Sequence, residues 1–158
     1  TIPVMFSYNA KPHDALEIGQ FLNDHLSELV ARHPRHYVAL ATVPMQDSDL
    51  AIQELKRAKA NGHVGVQIGS NINGLNLSEP QFFPFFKVCA DEGMAVMIHP
   101  WNMMGKQEME KYWLPWLVGM PAETSRAACS LIFGGVLERL PHLRVMLSHA
   151  GGSFLTTL

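Results

Sequence analysis

Apolar residues follow two alternating patterns along this chain of 158 residues. Where they return every three or four positions, the spacing predicts amphipathic helices. The segments with this spacing are 12–33, 48–61, 79–92 and 122–139. Where apolar residues follow one another without a break, the runs predict strands covered on both faces, as in a parallel sheet. These runs are 37–43, 64–69, 95–99 and 145–149, and residues 1–5 are interpreted as the end of an earlier strand.

Local signals at the helix ends agree with these boundaries. Pro12 suits the first turn of a helix, because the N–H that proline lacks would have no intrahelical partner there. Ser48 is a suitable N-cap, and the pair Asn61-Gly62 is typical of a helix end. Glu123 stands in the first turn of the last helix, where the helix dipole favours an acidic side chain.

The predicted strands begin about 30 residues apart for most of the chain, which is the length of one strand–helix unit. This rhythm fits either an open doubly wound sheet or a (β/α)8 barrel. No strand is followed by the glycine-rich fingerprint of a nucleotide-binding sheet, which favours the barrel. Because a complete barrel takes about 250 residues, we expect residues 1–158 to form a single incomplete α/β domain. It would hold roughly strands 2 or 3 to 6 of a (β/α)8 TIM barrel.

Composition and charge narrow the possible partners and the compartment. The chain is 47% hydrophobic and 16% charged, and its formal net charge is -2. Without a run of Lys and Arg, neither nucleic acid nor an anionic membrane is expected as a partner. Cys89 and Cys129 lie in predicted helices without the spacing of a metal site. We interpret them as free thiols in a reducing compartment, the cytoplasm.

The ends of the chain carry no targeting signal that the sequence reveals. No apolar stretch reaches the ~20 residues of a membrane-spanning helix, and the first residues are not a basic leader. The chain starts at Thr1 instead of Met and stops at Leu158 without a polar tail. We therefore expect an internal piece of a longer protein.

Two histidines stand where an apolar strand meets a loop. His99 precedes Pro100, and His149 precedes Ala150 and a pair of glycines. In an α/β barrel the reactive groups lie at this carboxyl-terminal rim. Either histidine alone can be a hydrogen-bonded core or turn residue, but the pair on consecutive strands favours a shared site that binds a metal and moves a proton. The other six histidines are expected at the surface: His13, His25, His33, His36, His63 and His142.

The segment 101–119, which follows the His99 strand, is unusually rich in aromatic residues and Met. These residues are Trp101, Met103, Met104, Met109, Tyr112, Trp113 and Trp116. Such a segment can form the wall of a pocket or a contact between subunits. The alternative is the ordinary core packing of a long loop.

Five stretches of the sequence resemble one known family. They are Pro3–Tyr8, Gly65–Gly69, His99-Pro100-Trp101, the fourteen residues Lys111–Thr124, and His149-x-Gly-Gly-x-Phe154. Together they are similar to the 2-amino-3-carboxymuconate 6-semialdehyde decarboxylases of the amidohydrolase superfamily. The resemblance implies a zinc-dependent (β/α)8 barrel that removes a carboxylate as CO2 without oxidation. The product would be 2-aminomuconate semialdehyde, in the kynurenine branch of tryptophan breakdown.

The resemblance also implies roles for four residues of this chain. His99 matches a zinc ligand on the family's fifth strand, and His149 matches the general acid/base on the sixth. Met103 and Trp116 match positions that line the substrate pocket. The family's other zinc ligands, a His-x-His and an aspartate, have no counterpart in the 158 residues.

The family also holds its substrate with arginines, and none of these can be placed on this chain. The family's arginines would lie outside residues 1–158, and Arg126 is not their counterpart. One of them comes from a neighbouring subunit, which implies a homodimer.

Two other interpretations remain open at this point. The chain can belong to a related amidohydrolase-type enzyme that decarboxylates aromatic acids or hydrolyses C–N bonds. It can also be a non-catalytic, truncated α/β module that pairs with a full-length enzyme, since one histidine cannot hold a catalytic zinc. In either case an incomplete barrel would leave open strand edges, so we expect the isolated chain to aggregate or to pack loosely.

Overall fold

Four parallel strands form the central sheet in the computed structural model, which describes residues 3–157. In chain order these strands are β1 (Leu40–Ala41), β2 (Gly65–Gly69), β5 (Ala95–His99) and β6 (Val145–Leu147). They lie side by side in the order β1-β2-β5-β6. A separate antiparallel pair, β3 (Asn71–Ile72) and β4 (Leu75–Asn76), directly follows β2.

Helices connect the strands of the sheet. They are α1 (Pro12–Arg32), α2 (Ser48–Ala60), α3 (Phe83–Asp91), α4 (Met120–Phe133), α5 (Val136–Arg139) and α6 (Phe154–Thr157). Tighter 3-10 turns occur at Pro3–Phe6, Pro80–Phe82 and His149–Gly151, and a π-helical turn at Pro115–Gly119 leads into α4. No helix within residues 3–157 is long and apolar enough to cross a membrane.

This arrangement confirms the predicted α/β class, and the parallel sheet with its intervening helices is part of a (β/α)8 barrel. The parallel register aligns Gly69 of β2 with His99 of β5. It also aligns Ile98 of β5 with Leu147 of β6. The carboxyl ends of neighbouring strands therefore meet at one edge of the sheet, as the rule for barrel rims requires.

The hydrophobic core lies between the sheet and its helices. Val66, Ile68, Val96 and Ile98 are completely buried on the helix-facing side. Leu55 of α2 and Phe85, Phe86 and Leu131 of α3 and α4 belong to the same core cluster. Complete burial of such large apolar side chains contributes about 1.5–3 kcal/mol each.

The opposite face of the sheet is less well covered than the continuous apolar runs predict. All residues of β2 are buried, but β5 alternates between buried and half-buried positions. Met146 of β6 is 50% exposed on the face that it shares with its register partner Met97. Burial on both faces is thus correct for β2 and wrong for β5 and β6.

Two of the predicted strands differ from the structure. Residues 3–6 form a 3-10 turn instead of a strand end, and Thr1 and Ile2 lie outside the described residues. The strand predicted over 37–43 is reduced to β1, and Tyr37 and Val38, which precede it, are 51% and 73% exposed. The strand predicted over 64–69 is observed as β2 and is followed by the β3–β4 hairpin, whose turn at Asn73-Gly74 has the positive φ values of a tight hairpin turn.

The helix boundaries agree well except at three places. Asp47, and not Ser48, is the N-cap of α2, because its carboxylate accepts the N–H groups of Asp49 and Leu50 at 3.1 and 3.0 Å. The helix predicted over 79–92 starts with a 3-10 turn. The helix predicted over 122–139 starts earlier and breaks after Phe133, because Gly135 adopts a left-handed φ of 70° that ends α4 before α5.

Candidate active site

His99 and His149 lie next to each other at the carboxyl ends of neighbouring parallel strands. His99 is the last residue of β5, and His149 comes two residues after the end of β6. Their ring centroids are 4.9 Å apart, with the planes inclined by 75°. The predicted juxtaposition of the two imidazoles is therefore present, whereas the chemical role of each remains a prediction.

The surroundings of His99 favour the neutral imidazole. Its side chain is half-buried, and this burial lowers its pKa below the usual value. The nearby ring of His149 lowers the pKa further, and a hydrogen bond to the carbonyl oxygen of Pro100 opposes both effects. That carbonyl can only accept, so Nδ1 of His99, 3.0 Å away, carries the hydrogen. The lone pair of Nε2 is then available to a ligand.

His149 lies in a strained turn. His149, Ala150, Gly151 and Gly152 have φ values of 51°, 53°, 83° and 67°, so four consecutive residues are left-handed. Non-glycine residues adopt this conformation at a cost of about 1–3 kcal/mol each, and such strain is concentrated at functional sites.

The Ser148 hydroxyl holds the His149 ring in place from the sheet side. Ser148 is buried, and its N–H continues the β5–β6 ladder to the carbonyl of Ile98 at 3.1 Å. Its Oγ lies 3.2 Å from Nδ1 of His149. Because a hydroxyl can both donate and accept, this contact is satisfied whether or not the imidazole carries the extra proton.

A cavity of about 780 Å³ opens beside His99. Six of its lining residues are His99, Pro100, Trp101, Met103, Trp116 and Met120. Met103 and Trp116, which the resemblance places in the substrate pocket, thus share this cavity with His99. His149 is not one of the lining residues, but its ring contacts that of His99, which is. Lys106 supplies a positive charge at the wall, and most of the lining is apolar.

Part of the aromatic segment 101–119 has one of the roles predicted for it. Trp101, Met103 and Trp116 line the cavity, which confirms the pocket wall. Tyr112 and Trp113 are 80% and 73% exposed, so core packing is the wrong description for them. A subunit contact through these exposed residues stays a prediction.

The described residues supply one candidate ligand for a metal ion. Neutral imidazole is a common ligand of borderline divalent ions such as zinc, and Nε2 of His99 is suited to this. Within residues 3–157 no group of three His, Cys, Asp or Glu side chains lies close enough together to hold an ion. A complete coordination shell would need donors beyond this part of the chain.

Three polar residues that support the cavity wall were not predicted in this role. Ser70 and Asn71 follow the carboxyl end of β2 and are hydrogen-bonded to the backbone of Trp101. They stand at a strand end like the two histidines, and this position was the signal that could have revealed them. Glu123 was predicted only as a helix-dipole residue, but it is completely buried and accepts the N–H of Met104.

The side chain of Arg126, which the resemblance does not count among the substrate arginines, forms hydrogen bonds within the fold. Its guanidinium donates to Glu123, Asn76 and the carbonyl of Gly74, each at 2.9 Å. All three nitrogens of the guanidinium thus have a partner in the protein.

One of the six histidines expected at the surface is buried. His63 is only 4% exposed, and its Nδ1 lies 3.2 Å from the carbonyl of Ala58. Burial lowers its pKa, and the Ala58 hydrogen bond partly offsets this. The loop after α2 turns back against α1, a contact that local sequence does not reveal. The surface prediction is correct for the rest, which are His13, His25, His33, His36 and His142.

Both cysteines are free thiols, as predicted. Cys89 is fully buried in α3, and burial raises the pKa of its thiol, so it is held in the unreactive protonated form. Cys129 is half-buried on α4. Neither cysteine is part of the cavity next to His99.

Comparisons with known proteins identify similar chains over the whole described fold. A family model described as amidohydrolase matches residues 4–156. The 2-amino-3-carboxymuconate-6-semialdehyde decarboxylase of Dictyostelium discoideum is 55% identical over 159 residues, an alignment that covers 100% of this chain and 44% of that protein. The chain thus spans less than half the length of this relative.

Two solved structures have the same fold. The 5-carboxyvanillate decarboxylase from Sphingomonas paucimobilis gives a TM-score of 0.91 at 26% identity, covering 100% of this chain and 48% of that one. A dihydroxybenzoic acid decarboxylase from Polaromonas, with bound manganese and the inhibitor 2-nitroresorcinol, gives a TM-score of 0.90 at 27% identity. That match covers 99% of this chain and 50% of the other.

Proposed function

Because the chain belongs to the amidohydrolase family, we propose that the protein is a metal-dependent decarboxylase of 2-amino-3-carboxymuconate 6-semialdehyde. The identity of 55% to the Dictyostelium decarboxylase supports this substrate. The reaction would yield 2-aminomuconate semialdehyde and CO2 without oxidation, within the breakdown of tryptophan through kynurenine.

One observation supports the proposal more than any other. The imidazoles of His99 and His149 lie with their centroids 4.9 Å apart at the rim of a parallel sheet, beside a cavity large enough for a small substrate. A neutral imidazole next to a second imidazole that can exchange a proton suits metal-assisted acid–base chemistry.

We propose zinc as the metal and His99 as one of its ligands. The lowered pKa of His99 keeps the imidazole in the neutral form that binds metals. The hydrogen bond from Nδ1 to the carbonyl of Pro100 fixes the tautomer, as hydrogen bonds to the other ring nitrogen do at metal-binding histidines in general. The remaining ligands would come from parts of the protein outside these 158 residues. When bound, such an ion polarises a substrate oxygen and makes water more acidic.

His149 would supply the proton that the reaction needs. Loss of CO2 breaks one C–C bond and leaves its electron pair on the substrate carbon, which must take up a proton. The protonated His149 can donate that proton and then recover one from water, so no group is oxidised or reduced. The Ser148 hydroxyl can remain hydrogen-bonded to Nδ1 in both states of the ring.

Met103 and Trp116 would hold the conjugated part of the substrate. Both line the cavity with largely apolar surface, next to His99. The substrate carboxylates would be bound by arginines from outside these residues, one of them from a neighbouring subunit of a homodimer. The exposed aromatic residues Tyr112 and Trp113 offer a surface for such a contact.

Two substitutions in the whole protein test these roles. His149→Ala should keep the zinc but lower kcat about 100-fold or more, because proton transfer loses its donor. His99→Ala should lose both zinc and turnover, because a ligand is removed. Metal content is measured by atomic emission, and turnover by the loss of substrate absorbance.

The exposed His142 offers a matched control, and His142→Ala should retain zinc and turnover. Undiminished turnover in His149→Ala would exclude the proton role. Full zinc occupancy in His99→Ala would exclude the ligand role.

A decarboxylase of dihydroxybenzoates is the second candidate. The fold similarity to the Polaromonas enzyme, with a TM-score of 0.90, favours it. Assaying the whole protein with both substrates at equal concentration separates the two. We expect faster turnover of the muconate semialdehyde, and a clear preference for 2,6-dihydroxybenzoate would replace the first proposal with the second.

A further inference from the structure

The wall of the cavity contains a short segment without regular secondary structure. Residues 101–104 connect the end of β5 to the rest of the aromatic segment and include the lining residues Trp101, Asn102 and Met103. Asn102 has a positive φ of 46°. A residue other than glycine keeps this unfavourable backbone conformation only where surrounding contacts stabilise it. Hydrogen bonds at both ends of this segment help to hold it, together with the packing of Trp101 against Phe6.

The first end is held by the residues that follow β2. The N–H of Trp101 donates to Oγ of Ser70 at 3.0 Å. The carbonyl of Trp101 accepts from Nδ2 of Asn71 at 2.7 Å. Ser70 and Asn71 are each 1% exposed, so water does not compete for these bonds.

The second end is held by a buried carboxylate. The N–H of Met104 donates to Oε2 of Glu123 at 3.2 Å. Glu123 is 0% exposed, and its Oε1 accepts from Arg126 at 2.9 Å. A buried carboxylate without these partners would be strongly unfavourable, so the two bonds fix its position.

The two ends are joined through the hairpin of β3 and β4. Asn71 accepts the N–H of Gly74 at 3.0 Å through Oδ1, while its amide group holds Trp101. Arg126 donates to the carbonyl of Gly74 and to Asn76. Trp101, the hairpin, Arg126, Glu123 and Met104 thus form one closed chain of hydrogen bonds around the cavity wall.

We propose that Glu123 is a positioning residue that holds the Trp101–Met104 wall in the shape that binds substrate. It acts through the backbone of Met104 and through Arg126, without touching the cavity itself. This inference rests on the proposed function for its substrate, since the wall is assigned to binding the muconate semialdehyde. His99 ends β5 and His149 lies in the turn after β6, and neither is hydrogen-bonded to Glu123, so the loss of Glu123 should weaken binding more than chemistry.

The chain provides a matched control for this substitution. Glu54 on α2 is also 0% exposed and also pairs with an arginine three residues later, Arg57. Its other partner is Asn23 of α1, at 2.7 Å. Glu54→Ala therefore removes a buried carboxylate and its hydrogen bonds, as Glu123→Ala does, but at a position away from the cavity.

The test compares Glu123→Ala with Glu54→Ala in the whole, metal-loaded protein. Glu123→Ala should raise KM about tenfold and change kcat less than threefold, because a charge-assisted bond that positions the wall is lost. Glu54→Ala should leave KM unchanged at a temperature where it is folded. Glu123→Gln, which keeps the volume and one acceptor oxygen, should change KM in the same direction by a smaller factor and serves if the alanine variant does not fold.

Hydrogen exchange gives a second readout that does not require activity. The amide hydrogen of Met104 should exchange at least about tenfold faster in Glu123→Ala than in the wild type, and at the wild-type rate in Glu54→Ala. Unchanged exchange in the Glu123 variant, or faster exchange with unchanged KM, would overturn the positioning role. An equal rise of KM in Glu54→Ala would also overturn it. If the wild type turns over neither substrate, the proposed function fails, and the exchange of Met104 alone decides whether Glu123 holds the wall.

Discussion

Burial controls the protonation of two histidines in this chain. His99 and His63 both have a pKa below the usual value, and loss of hydration is the largest cause in each. At the cavity the neutral form of His99 leaves a nitrogen available for a ligand. Between α1 and α2 the neutral form of His63 has no such use, and its Nε2 has no hydrogen-bond partner among the described residues. Burial thus keeps His99 in a form that suits a ligand, whereas at His63 it leaves a ring nitrogen without a hydrogen bond among the described residues.

The first prediction concerns acid stability. The unfolded chain protonates His63 near the ordinary pKa of 6.5, whereas the folded protein does so only at a lower pH. Between these two pKa values the unfolded state binds more protons, so the free energy of unfolding decreases as pH falls below about 6.5. His63→Asn keeps a donor toward Ala58 and removes the titrating group. Its unfolding free energy, measured by denaturant titration of the whole protein, should fall less steeply between pH 7 and pH 5.

The charges around His63 modify this prediction but do not reverse it. Glu54 and Asp24 raise its pKa, and Arg57 lowers it, each less than burial does. His142→Asn, at an exposed position, is the control and should keep the wild-type pH dependence. Equal slopes for His63→Asn and the wild type would show that another group controls acid stability.

At the scale of elements, the turn after β6 must lie tightly against α4. Gly152 has a φ of 67°, and a Cβ at this position would lie 2.3 Å from the carbonyl oxygen of Pro121. The Ser125 and Ser153 hydroxyls are 2.9 Å apart across the same contact. Close approach to the first turn of α4 therefore helps to hold the strained backbone that carries His149.

The second prediction follows from this contact. Gly152→Ala should lower the free energy of unfolding by about 2–3 kcal/mol, because the new methyl group clashes and the φ is unfavourable. If the turn moves to relieve the clash, turnover should decrease as well, since His149 moves with it. Denaturant titration and steady-state kinetics of the whole protein measure the two effects.

Gly62 is a control position, because it has the positive φ but lacks the steric clash. Its φ is 90°, but nothing lies within 4 Å of a Cβ placed there. Gly62→Ala should cost only about 1 kcal/mol and should leave turnover unchanged. Equal losses of stability in the two variants would show that the packing of Gly152 against Pro121 contributes little.

At the scale of the whole molecule, the sheet has two open edges among the described residues. β1 and β6 each pair with one neighbour only. Large apolar side chains are exposed near β6, with Met146 at 50% and Leu155 at 73%. Open edges and exposed apolar surface favour association with other chains.

The third prediction is that residues 1–158, produced alone, self-associate or unfold without a cooperative transition. The exposed edge of β6 has no partner strand among residues 3–157, and β5 and β6 are incompletely covered. Sedimentation velocity and thermal melting monitored by near-ultraviolet circular dichroism measure this directly. A monodisperse monomer with a sharp cooperative melt would contradict the expectation.

The amino-acid sequence by itself determined the alternation of strands and helices and the location of His99 and His149 at strand ends. These features depend on local periodicity and on residues adjacent in the chain, which short-range physics decides. The placement of the two imidazoles together followed from one further rule, that parallel strands end at the same edge. The sequence also marked segment 101–119 as special, since Met and aromatic residues are concentrated there.

Only the tertiary structure decided which polar residues are buried and what they hold. Glu123 was predicted only as an acid in the first turn of a helix, yet it is completely buried and accepts the N–H of Met104, 19 residues earlier in the chain. His63 looked like a surface histidine, yet it packs between α1 and α2. Burial and hydrogen bonding depend on residues far apart in the chain, and a single sequence contains no local signal for their approach.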